Sequence, residues 1–115
     1  MPIFVLATRL SSHHVDAPSS FARLERRAMD HVRAECPDVE WRASYAMLGP
    51  HDYLDIIEAP SVESAQRVVT LLRAWGHAHV EAWPAMPWAS YEKMLGGLSS
   101  LEPVAAPRGG EPARR

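Results

Sequence analysis

The chain has 115 residues, 47% hydrophobic and 23% charged, with a formal net charge of −2, which describes one globular domain with a single core. There is no surface-wide basic excess to neutralise phosphates, which argues against nucleic acid as a partner. The lone cysteine, Cys36, excludes an intramolecular disulfide, and no apolar run approaches the ~18 residues of a membrane span.

Ile3-Phe4-Val5-Leu6-Ala7 is a continuous apolar run, the pattern of a central strand covered on both faces. With no signal-like pattern before it, the expected location is cytoplasmic, without a membrane partner. Arg9 follows at the far end of this strand, and residues 11–18 (SSHHVDAP) read as a loop that includes His13 and His14. Ser19 or Ser20 then caps a helix to about Glu35. Its apolar stripe is Phe21, Leu24, Ala28, Val32 and Cys36, and Pro37 ends it.

Val39 to Leu48 reads as a second strand whose inward face is ambiguous between Trp41/Tyr45/Met47 and Arg42/Ser44/Ala46. Gly49-Pro50 is a turn, so the next strand, from Asp52 to Ile57, pairs with it as a hairpin. Alternation divides that third strand into Leu54 and Ile56 on one side and His51, Tyr53, Asp55 and Ile57 on the other. The more polar set is assigned to the side away from the helices. Ser61 caps a second helix to about Trp75, buried through Val62, Ala65, Val68, Val69, Leu72 and Trp75, and Gly76 stands where a left-handed residue would close it.

Residues 77–83 (HAHVEAW) alternate strictly and form the fourth strand. Ala78, Val80 and Ala82 suit contact with helices, while His77, His79, Glu81 and Trp83 face the other way. Pro84-Ala85-Met86-Pro87 breaks it. Trp88, Tyr91, Met94, Leu95 and Leu98 then suggest a short amphipathic helix ending at Gly96-Gly97. Residues 1–98 would form the domain, and the Pro/Gly/Ala/Arg-rich residues 99–115 a disordered tail. The element order is therefore β-α-β-β-α-β plus a terminal helix, an α+β, ferredoxin-like plan with a four-stranded antiparallel sheet and two helices on one face.

Gly49 and Asp52, the alternating apolar residues after them, and Glu58-Ala59-Pro60 stand at spacings similar to the signature of the GYD domain family. His51 replaces the family's central tyrosine. The resemblance extends over about residues 2 to 95 and implies a dimeric α/β-barrel, in which two copies meet through their sheet faces as a homodimer. It implies no particular reaction.

The polar groups of the third and fourth strands are the candidate site, roughly 10 Å apart across the first strand. His51, Asp55 and His79 are the candidates for proton transfer, since an imidazole beside a carboxylate is a serviceable base near neutral pH. Tyr53, Arg9 and Trp83 would line a small-molecule ligand. His77, His79 and Glu81 could instead hold a single divalent metal ion, as histidines at i and i+2 project together about 6.7 Å apart. No cofactor is required by the sequence. The bland account of this row is hydrogen-bonded polar residues at a wet interface. Asp52 is assigned a structural task, holding backbone amides of the Gly49-Pro50 turn. Two functions remain open: a small-molecule-binding protein that acts on a small organic compound through the His/Asp/Glu cluster, and a non-catalytic sensor or assembly subunit of a larger enzyme.

Overall fold

The computed structural model describes residues 1–11 and 16–98. His13-His14 and the tail from residue 99 lie outside them. Strands β1 (Ile3–Leu10), β2 (Glu40–Ala46), β3 (Tyr53–Glu58) and β4 (Ala78–Ala85) form one antiparallel sheet in the order β2-β3-β1-β4. Helices α1 (Pro18–Glu35) and α2 (Val62–Trp75) pack on each other, and α2 packs on β4; α3 (Trp88–Gly97) follows. This is the ferredoxin-like plan.

Local chemistry explains most boundaries. Ser61 caps α2, its Oγ accepting from Ser64 N at 3.1 Å, the usual use of a hydroxyl at a helix start. α1 begins instead at Pro18 without a side-chain cap. Proline is pre-set for the first helical position, so Ser20 is free to turn inward, where its Oγ donates to Asp16 Oδ1 at 2.8 Å. Gly76 does not take the left-handed conformation. It is helical (φ −92°), and His77 carries the positive φ of 49°. Glycine is needed at 76 for another reason: a Cβ there would come within 2.6 Å of the Leu72 carbonyl oxygen.

The core lies between sheet and helices and contains Phe4, Leu6, Ala28, Val32, Ile57, Val68 and Val80. Antiparallel partners share a face. Phe4 pairs with Ile57, Leu6 with Asp55 and Thr8 with Tyr53, so Tyr53, Asp55 and Ile57 point toward the helices. Leu54 and Ile56 point away from them. This reverses the assignment made from polarity: Ile57 is fully buried, and Asp55 follows it inward by parity. On β4 the expectation holds, since Ala78, Val80 and Ala82 pair with Leu10, Thr8 and Leu6. That strand starts at Ala78 rather than His77 and runs through Pro84 to Ala85, which an outer strand tolerates.

The ambiguity in β2 has a structural cause. The register slips between Trp41 and Ala43, with Trp41 opposite Ile57 and Ser44 opposite Asp55. A bulge adds one residue and switches the parity, so Trp41 and Ser44 both reach the helix side although they are three apart.

Candidate functional site

The two faces of the sheet carry two different polar constellations. The first lies under α1, where a cavity of about 220 Å3 is walled by Leu24, Ala28 and Met29 of α1, Leu10 of β1, and Leu72. Its polar lining comes from Thr8, Ser44, Tyr53 and Asp55 on the sheet, with Glu25 on the helix. Apolar walls with a few convergent polar groups are the usual make-up of a small-molecule site.

Asp55 is the centre of this cavity's chemistry. Its Oδ1 accepts from the Trp41 indole N–H at 3.1 Å, and Trp41 Nε1 is also 2.9 Å from Ser44 Oγ. Burial pushes the Asp55 carboxyl up, while the hydrogen bonds from Ser44 and Trp41 pull it back. Loss of water around the charge outweighs two donors. Burial also raises the Tyr53 phenol, aided by the negative charges of Asp52, Glu25 and Asp55.

The second constellation lies on the helix-free face. Glu81 Oε2 is 3.7 Å from His51 Nε2 and 3.4 Å from His79 Nε2. The Trp83 indole N–H donates to Glu81 Oε1 at 3.2 Å, and the Trp83 and His51 rings meet edge to face, 6.2 Å apart. The Trp83 hydrogen bond, followed by the imidazoles, holds the Glu81 carboxyl below its usual range. Among the described residues, His51 Nε2 is buried without a hydrogen-bond partner. Around this group the face is apolar: Val5, Ile56 and Leu54 share it by register with Trp83 and Tyr45.

His51 reaches that face from the loop before β3, and Asp52 holds the loop in place. The Asp52 backbone N–H donates to Thr8 O at 2.7 Å, its carbonyl accepts from Met47 N at 2.8 Å, and its Oδ2 accepts from Leu10 N at 2.8 Å. The carboxylate thus fastens the loop to the end of β1, not to the Gly49-Pro50 turn. Arg9 Nε donates to Pro50 O at 3.3 Å from the helix-free side.

The residues singled out from sequence are therefore divided. His51, His79, Glu81 and Trp83 come together on the bare face, with Arg9 bracing the loop. Asp55 and Tyr53 lie on the opposite side of the sheet, in the cavity. His77 precedes β4 with a left-handed backbone, so it stands outside the strand alternation that sets the direction of His79 and Glu81. Among the described residues, no three His, Cys, Asp or Glu side chains form a group that could hold a metal ion. Trp41 and Ser44 were missed as site residues because the bulge hides their common direction. The available signal was Ile57-Glu58-Ala59, where two apolar residues flank a carboxylate and fix the inward parity of the strand.

Comparison with known proteins agrees with this architecture. The GYD domain profile matches residues 4–95. The chain belongs to the GYD domain family. Solved structures with the same fold as this GYD domain include a Mycobacterium tuberculosis leucine response regulatory protein, LrpA. It is 13% identical, with a TM-score of 0.52 over 74% of this chain and 50% of that one. A point mutant of Rv3291c is 12% identical, with a TM-score of 0.53 over 75% and 50%. The GYD domain thus spans about half the length of these structures, and at such identities the likeness is one of fold. No curated protein matches it in sequence. Among the described residues no helix is long and apolar enough to cross a membrane.

Proposed function

We propose that this GYD domain binds a small organic molecule in the cavity between α1 and the sheet, with Asp55 as its polar anchor, and that two copies associate through their helix-free faces. The observation that carries the first half is a half-buried carboxylate among the apolar walls and few polar groups of the cavity, its pKa raised by its surroundings. Perturbed groups of this kind concentrate at functional sites. For an enzyme, a carboxyl whose pKa is raised by desolvation is a stronger base than a free one and can take a proton from a bound substrate and return it. Asp55, rather than His51 or His79, is then the base.

The second half rests on the apolar character of the other face. Tyr45 and Trp83 stand about half exposed there, at 54% and 45%, beside Leu54 and Ile56. A face of this composition on a two-layer domain is suited to self-association about a two-fold axis. His51, His79 and Glu81 would then be hydrogen-bonded polar groups within that interface.

A non-catalytic reading is favoured by α3, none of whose residues is buried and which exposes Trp88, Tyr91, Met94 and Leu95. A sensor or assembly subunit would use this helix on a larger partner. A fold shared with a protein described as a leucine response regulator is compatible with sensing.

Ligand-observed NMR with a set of one- and two-ring fragments tests the cavity. The expected result is that fragments bind the wild-type chain and His79→Ala but not Ala78→Phe, which fills the cavity from β4. Binding that survives Ala78→Phe and disappears in His79→Ala would move the site to the bare face.

A further inference from the structure

Resting on the cavity reading above, the side chains around the cavity also restrict the charge of what it takes. The polar side chains that wall it are neutral or acidic: a hydroxyl from Thr8 on β1 and Ser44 on β2, a phenol and a carboxylate from Tyr53 and Asp55 on β3, and a carboxylate from Glu25 on α1. Among the described residues, no lysine, arginine or histidine lines it. The basic residues of α1 do not reach Asp55: Arg23, Arg26 and Arg27 line a separate surface depression with Asp30, Arg27 sits over the Trp75 ring at 5.8 Å, and Arg33, which lines the adjoining depression with Glu25, Met29, Trp41 and Ser44, is drawn to Asp30 at 3.5 Å. Arg9 is across the sheet.

Among the described residues, Asp55 therefore has hydrogen-bond donors but no counter-charge. A half-buried carboxylate without a paired cation loses part of its hydration, and a ligand that brings a cation offsets that loss on binding. Trp41 and Tyr53 line the same space, and aromatic rings also favour cations. A cavity of about 150 Å3 is enough for benzene, so about 220 Å3 takes one ring with a short amine-bearing arm.

We propose that the ligand of this cavity is a small organic cation, a primary or secondary ammonium on a one-ring or comparably sized apolar body, with the ammonium seated against Asp55. Carboxylates and phosphate esters are excluded by the same charges.

Isothermal titration of the full chain with benzylamine, benzyl alcohol and sodium benzoate at neutral pH tests this, because the three probes share a ring and differ in charge. Benzylamine should bind at least tenfold more tightly than benzyl alcohol, and benzoate should not bind. Asp55→Asn should weaken benzylamine on the order of 10- to 100-fold, the scale of a charge-assisted hydrogen bond, and leave benzyl alcohol nearly unchanged. Circular dichroism and the melting temperature check that the variant is folded. If benzyl alcohol equals benzylamine and both are lost in Ala78→Phe, the cation class is overturned while the cavity stands as the site. If benzylamine binding survives Ala78→Phe, the cavity reading falls and takes the cation proposal with it. Should none of the three probes bind while other fragments still depend on Ala78, the class is overturned on its own.

Discussion

Two carboxylates on neighbouring positions of one sheet, Asp55 and Glu81, have opposite fates. Asp55 faces the helices, receives two neutral donors, and is pushed up by burial. Glu81 faces away, gathers an indole and two imidazoles, and is held down. Both lie one strand from β1, opposite Leu6 and Ala7 respectively. The difference is only which way the pleat turns each residue. A change of one position in the sequence exchanges a desolvated acid for a solvated one.

The sharpest test of the two faces is a pair of neighbours. Ile57→Ala removes a fully buried side chain and should cost about 2–5 kcal/mol in urea unfolding. Ile56→Ala, on the bare face, should cost clearly less in the monomer and should show in the concentration dependence of sedimentation. Equal costs for the two would mean that the faces are not distinguished as described.

A smaller effect is expected at the donor to Asp55. Trp41→Phe takes away the indole N–H while keeping most of the ring. It should destabilise the chain by about 1.5–3 kcal/mol at neutral pH, the scale of a hydrogen bond to a charged group. The same variant should approach wild type in acid, where Asp55 is protonated and needs the donor less.

The smallest effect, and the one that most directly opposes the two carboxylates, is in pH dependence. Asp55 has a folded pKa above its ordinary 3.8, so its favourable contribution is complete below about that pH and is lost as pH rises through the raised value. Asp55→Asn should therefore become more stable relative to wild type as pH climbs from 3.8. Glu81 has a folded pKa below its ordinary 4.5, so its contribution is present above that pH and is lost as pH falls through the lowered value. Glu81→Gln should lose stability relative to wild type only on the neutral side. Melting curves between pH 3 and pH 8 for the two variants should slope in opposite directions.

The fold was legible because the two helices, β1 and β4 carry clear patterns. Ser61 before Val62, the 3.6-residue spacing of Leu24, Ala28 and Val32, and the small apolar set Ala78, Val80 and Ala82 each have one interpretation. β3 did not, because a strand inside the sheet is apolar on both faces and its polarity says little about direction. Placing Asp55 outward followed the rule that carboxylates avoid burial, and the rule failed where Trp41 and Ser44 satisfy it. Those partners come from β2 across a bulge, and a bulge leaves no period in the sequence. That His51 and Glu81 share the bare face was expected, but the route was hidden, since His51 reaches it from a loop that Asp52 fastens to the end of β1.

The slip in β2 also bears on how these molecules can meet one another. An open sheet normally offers its two outer strands as templates for another chain, the route to fibres. Here one rim is interrupted at Arg42, whose guanidinium is drawn to Glu40 and Glu58. The other rim loses a backbone donor at Pro84. With both rims spoiled for strand addition, lateral growth is discouraged, and broadside contact between flat surfaces is the geometry left open for assembly.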